Sequence, residues 1–151
     1  MSGASACIAA LRQVRKVVDE LGRLPRNLAV EAAPEITRML KAQFRVGVDP
    51  YGNRWAPLAP ATIAKGRQNP PLTDTHRLAD GTEARPMTGG RAGLTIRIGA
   101  PYGAFAQTGF RVGKTRVPPR RILPSRGMPA AWREILVRKA RELAAKARGA
   151  R

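Results

Sequence analysis

Leu94-Thr95-Ile96-Arg97-Ile98-Gly99 alternates apolar and polar side chains with a period of two, the pattern of a strand with one buried and one solvated face. It decides the fold class, because the flanks of the chain read as helix. Upstream, Cys7, Leu11, Val14, Val18 and Leu21 recur at spacings of three and four, and Ile8 and Val17 widen the stripe. Arg12, Arg15, Lys16, Asp19 and Glu20 fill the opposite face, Gly22 reads as the cap, and Pro25 as a stop. A second helix is predicted over 26–46, with Leu28, Ala32, Ile36, Leu40 and Phe44 on one side. Pro34 should kink or split it, since proline removes a ladder donor. Downstream, Pro129 opens a last helix whose stripe is Trp132, Ile135/Leu136, Ala140, Leu143 and Ala147. The expected architecture is α+β: a small antiparallel sheet containing 94–99, packed by the N-terminal helical hairpin and the C-terminal helix, with long projecting loops.

Between these elements the signals are weaker. The stretch 60–65 reads as a short helix with Pro60 near its first position. Residues 66–93 carry Gly66, Gly81, Gly89, Gly90 and Gly93 with Pro70, Pro71 and Pro86, and are expected to form a mobile loop. The partner of 94–99 is expected around 112–117, while 102–108 reads as a short helix or a strand. At 151 residues the chain makes one domain. Residues 1–128 are expected to form its α+β body, and 129–151 a basic helix packed on it.

Charge is concentrated toward the C-terminus. The formal net charge is +18, and residues 111–151 hold 13 Lys/Arg against 2 Asp/Glu, a net of +11. Such a tract favours an acidic protein surface or a nucleic-acid backbone over an unpartnered solvated face. Arg111, Lys114, Arg116, Arg121, Arg138, Lys139 and Arg141 are the residues expected to meet that partner.

Catalytic chemistry finds little support. His76 is the sole histidine and Cys7 the sole cysteine, which excludes an internal disulfide and the usual multi-Cys/His zinc sites. His76 reads as a solvated loop residue and Cys7 as a small buried hydrophobe. Nothing arranges a dry pocket around Asp74 and Asp80. Thr88-Gly89-Gly90-Arg91-Ala92-Gly93 lacks the spacing of a phosphate-cradling loop. No enzyme class, cofactor or metal is expected. No apolar run approaches the ~20 residues that span a bilayer, so no membrane partner is expected. No signal-peptide pattern opens the chain, and a reducing host cytosol is the expected site of synthesis.

The remaining motif is Asp49-Pro50-Tyr51-Gly52-Asn53-Arg54-Trp55-Ala56-Pro57-Leu58. Pro50 fixes φ, Gly52 supplies a positive φ, and the turn presents Trp55. On physics alone this is a surface turn whose tryptophan plugs the edge of a small core. Together with Phe44 before it and Thr62 after it, the turn resembles the signature of the phage virion morphogenesis proteins. These are the tail-completion proteins of Mu-like phages, related in kind to the lambda-type minor tail protein Z. Three more segments resemble the same family in order. Leu72-Thr73-Asp74-Thr75-His76-Arg77-Leu78 is similar to its L-T-D-T-G-R-L, with His76 where glycine is common. Gly99-Ala100-Pro101-Tyr102-Gly103-Ala104-Phe105-Ala106-Gln107-Thr108-Gly109 is similar to its G-x-x-Y-A-x-x-H-Q-x-G, with Ala106 for histidine. Val117-Pro118-Pro119-Arg120-Arg121-Ile122-Leu123 is similar to its I-P-A-R-P-F-L. Together they span residues 44–123, about half the chain.

The resemblance implies a structural protein of the head-tail junction, in the virion neck or tail, without covalent chemistry. Its partners would be further copies of itself in a ring, a hexamer by expectation, and neighbouring neck and tail proteins (connector or stopper, tail terminator or tail tube). Packaged DNA would be a further partner. Pro50, Tyr51, Gly52, Trp55, Gln107, Gly109 and Arg120 would be its protein-interface residues. Terminator and stopper roles belong to the same junction and stay open, as does the alternative of a basic nucleic-acid-binding protein.

Overall fold

One helix organises the molecule. In the computed structural model, which describes residues 12, 14–17, 19, 21–67, 70–72, 76–89 and 91–150, helix α1 runs Arg26–Val46. Its buried face is Ala29, Ala32, Ala33, Ile36, Leu40 and Phe44, with Gln43 beside them, the i, i+3, i+4 stripe of an amphipathic helix. Of the kink or split expected at Pro34, the split does not occur, since the helix is continuous through it. Pro34 and Val30, whose carbonyl the proline orphans, both lie exposed, so water can satisfy that carbonyl while the buried face keeps the helix in register.

Two cores lie along this helix. The first gathers Ile36 and Leu40 with Val17 and Leu21 from the preceding helical segment, Ala84 and Leu94 from a sheet, and Trp132 and Ile135 from the C-terminal helix. The second gathers Phe44 with Trp55, Leu78, Ala79, Ala100, Ala106 and Ile122. Described residues 14–17 and 21–22 are helical, as the first stripe predicts. Cys7, Ile8, Leu11, Val18 and Glu20 lie outside the described residues, as do 73–75, which include Asp74. The C-terminal helix, α5, spans Ala130–Gly149 and starts at Pro129. Only Trp132 and Ile135 are buried, and residues 144–150 are exposed.

The fold is α+β, and among the described residues the strands form two separate two-stranded antiparallel sheets. Strand β2 (Leu94–Arg97) pairs with β1 (Glu83–Pro86) in the register Ala84↔Ile96. Its partner is therefore not the expected 112–117, which instead folds on itself as β3 (Phe110–Val112) and β4 (Thr115–Val117). Glu83-Ala84-Arg85-Pro86 has little strand propensity of its own. Tertiary contacts impose the strand: the Thr37 hydroxyl on α1 accepts from Ala84 N at 2.9 Å and donates to Ala84 O at 3.2 Å. Pro86 ends the strand, where a missing donor is tolerated. The expected loop over 66–93 thus contains β1 and the short helix α3 (Arg77–Gly81). Helix α2 (Pro60–Ala64) begins on Pro60 as expected, and 102–108 resolves to helix α4 (Gly103–Thr108).

Candidate interaction surface

The stretch 118–127 pairs with no strand, so its buried backbone groups need other partners. The Ala106 carbonyl accepts from Arg120 N at 2.7 Å, and side chains, most of them from the motif segments, meet the groups beyond it. Trp55 Nε1 donates to the Arg121 carbonyl at 2.9 Å. Gln107 Oε1 accepts from Ile122 N and Leu123 N, each at 2.9 Å, and its Nε2 donates to Leu123 O at 3.0 Å. Gln43 Nε2 donates to Ile122 O at 3.1 Å. The Tyr51 hydroxyl donates to Gly127 O and accepts from Arg126 N, both at 2.7 Å, while the Arg126 guanidinium lies 4.9 Å over its ring. Residues far apart in sequence are gathered into one knot.

The turn at 49–55 is built to aim two of these side chains. Asp49 Oδ1 accepts from Tyr51 N and Asn53 N at 2.9 Å, an Asx-type turn. Gly52 adopts φ 88°, as the turn requires, and Val48 bridges Arg54. Trp55 then points inward, 7% exposed, with its ring 5.5 Å from Phe44 at 72°. Arg120 is 8% exposed. Its Nε donates to Ala56 O at 2.9 Å and its Nη2 to Pro57 O at 3.0 Å. Burial pushes its pKa down from the usual arginine value. Gly109 sits at φ 73°, ψ 168°, and a Cβ there would meet the Val117 carbonyl oxygen at 2.8 Å. Only glycine suits that combination.

The residues expected to face a partner protein are thus mostly internal. Pro50, Trp55, Gln107 and Arg120 are buried, Tyr51 and Gly109 are half-buried, and Gly52 is exposed. The side chains of Tyr51, Trp55, Gln107 and Arg120 hold the protomer's own loops, as the core-edge reading of the tryptophan anticipates. They shape a surface without forming its skin.

That skin is a different set. Phe105 on α4 is 59% exposed, Phe110 on β3 41% and Val112 62%, with Tyr102 also exposed. The Phe105 and Phe110 rings meet edge to face at 6.0 Å. Beside them lies a hollow of about 440 Å³, lined by Leu72, Tyr102, Val117 and Pro118 among others. On the other flank of α4 a groove of about 710 Å³ runs along Ile98, Ala100, Phe105 and Ile122. Exposed apolar surface of this kind is characteristic of interaction sites. The signal for it was Phe110-Arg111-Val112-Gly113-Lys114-Thr115-Arg116-Val117, alternating residues around a two-residue Gly-Lys turn, which reads as a hairpin.

The expected cations fall into two groups. Arg111, Lys114 and Arg116 stand exposed on the β3–β4 hairpin and enter no ion pair among the described residues. Arg138 and Lys139 are engaged. Arg138 pairs with both carboxylate oxygens of Glu35 on α1, and Lys139 Nζ lies 3.2 Å from Glu35 and 3.1 Å from Glu142. The Arg138 hydrogen bond, with help from Lys139 and against the cost of partial burial, holds the Glu35 carboxyl down at about 2. This network ties α5 to α1. Arg141 is exposed, and Arg121 is half-buried, its Nε buried without a protein partner.

His76 stands exposed at φ 56° just before α3. Among the described residues no three His, Cys, Asp or Glu side chains gather as a metal site, and no helix is long and apolar enough to cross a membrane. Comparison with known proteins yields no match to a family model, a curated protein or a solved structure.

Proposed function

We propose that this chain is a structural protein of the head-tail junction of a tailed phage or phage-derived particle, a tail-completion or neck component that joins tail to head. One observation carries the reading. Of the four segments that resemble the virion morphogenesis proteins, those at 49–58 and 99–109 are tied to the one at 117–123 through the hydrogen bonds of Trp55, Gln107 and Arg120. The residue types those motifs contain are the types this knot uses. The fourth segment adds support at His76, whose positive φ suits the glycine common at that position in the family. Assembly as a ring, with a hexamer as the first expectation, would require head-to-tail contacts between copies.

The test is a joining assay. Heads and tails made without this protein should remain separate and should join when it is added back. Fully infectious particles lacking it would refute the proposal. The exposed cations Arg111, Lys114 and Arg116 favour nucleic-acid binding as a second reading. A protein of that kind would retard duplex DNA as a monomer, with affinity falling steeply as salt rises.

A further inference from the structure

We infer that the β3–β4 hairpin, with Phe105 at its base, is a docking arm for an acidic segment bearing apolar side chains on a different protein. The inference rests on the junction reading for where that partner sits, and on the hairpin alone for its chemistry.

The hairpin has two unlike faces. Its register pairs Phe110 with Val117, Arg111 with Arg116 and Val112 with Thr115. Because side chains opposite one another share a face, Phe110, Val112, Thr115 and Val117 line one side. Arg111 and Arg116 stand together on the other, and Lys114 occupies the turn. Two like charges directly opposite destabilise an isolated ribbon. A lone two-stranded hairpin is at best marginal in water, and five of the six strand residues here are exposed. An anionic partner covering it removes both costs.

The chemistry of the occupant follows from what surrounds the arm. The same hairpin of a second copy is a poor fit, since it presents the same exposed cations, Arg111, Lys114 and Arg116. Of the described acids, Glu35, Glu83 and Glu142 are already paired with cations, and Asp49 accepts the hydrogen bonds of its own turn. Asp19, Glu31, Asp80 and Glu134 are spread one to each of four helical segments and form no acidic strip. Duplex nucleic acid would satisfy the arginines but, with its base faces stacked on one another, offers the exposed Phe105, Phe110 and Val112 little to pack against. A protein segment that combines carboxylates with aliphatic or aromatic side chains answers both faces at once.

The probe is a short labelled synthetic peptide alternating leucine with glutamate, its binding to the full chain followed by fluorescence anisotropy at physiological ionic strength. Oligoglutamate and duplex DNA serve as the comparison ligands. The peptide should bind about ten-fold more tightly than oligoglutamate. The Arg111→Glu substitution should weaken it about ten-fold. That variant places opposite charges across the hairpin, so its melting temperature should hold or rise, which separates lost docking from lost folding. Phe110→Ser should narrow the gap between peptide and oligoglutamate.

Equal affinity for the two acidic ligands, or a peptide indifferent to Arg111→Glu, would overturn the inference. So would duplex DNA binding through the arginines while the peptide does not bind, or self-association that is lost with Phe105→Ser. Infectious particles lacking the protein would refute the junction role and leave a positive peptide result standing. Loss of peptide selectivity with head-tail joining intact would do the reverse.

Discussion

Gln107→Ala removes three hydrogen bonds in one step. Gln107 accepts from Ile122 N and Leu123 N at 2.9 Å and donates to Leu123 O at 3.0 Å. Its own side chain is buried. Each such bond contributes about 1 kcal/mol net, and more where a buried partner is left unsatisfied. The expected loss is therefore about 3–5 kcal/mol, including the vacated volume. That is a large share of the roughly 5–15 kcal/mol that holds a typical domain. At about 2–4 °C per kcal/mol, the lower bound alone lowers the midpoint by about 6–12 °C. Urea unfolding followed by tryptophan fluorescence is the assay, since Trp55 binds the carbonyl of Arg121, next to Ile122. Gln107→Glu should also destabilise at neutral pH, because it buries a carboxylate and sets one of its oxygens against Leu123 O, where the amide now donates at 3.0 Å. A loss below about 1 kcal/mol for Gln107→Ala would refute the idea that side chains stand in for a missing strand at 118–127.

Two further outcomes are expected. His76→Gly should raise stability by about 1 kcal/mol in the same unfolding assay, since φ 56° strains any residue with a Cβ, although glycine's unfolded-state entropy takes back part of the gain. Glu35 has a folded pKa of about 2 against an ordinary 4.5. Its contribution is present in full above pH 4.5 and is lost as pH falls toward 2. Glu35→Gln should flatten stability against pH in that window, and an unchanged acid limb would count against the network joining α1 to α5.

How far the sequence could be read depended on how local each signal was. Helices over 26–46 and 130–149 were legible because their burial stripes recur within each element. The strand at 94–97 was legible for the same reason. Its partner was not, because Glu83-Ala84-Arg85-Pro86 becomes a strand only when Thr37 and the facing strand hold it. Glu142 lies three and four residues from Lys139 and Arg138, a local signal that the reading of those cations as partner-facing passed over. Glu35, 103 residues from Arg138, gave no such signal. Trp55 was conspicuous, yet its destination depended on an Arg121 carbonyl 66 residues away. Phe105 sits on a six-residue helix, too short for periodicity to say which face meets water.

The unpaired run at 121–123 has one more consequence. A bare extended segment there would be a template for any passing peptide to zip onto. With indole and amide groups already capping its polar atoms, that flank is closed to intruders, and molecules can be crowded side by side without fusing through it. If the chain assembles as proposed, cohesion falls to surfaces that distinguish one neighbour from another.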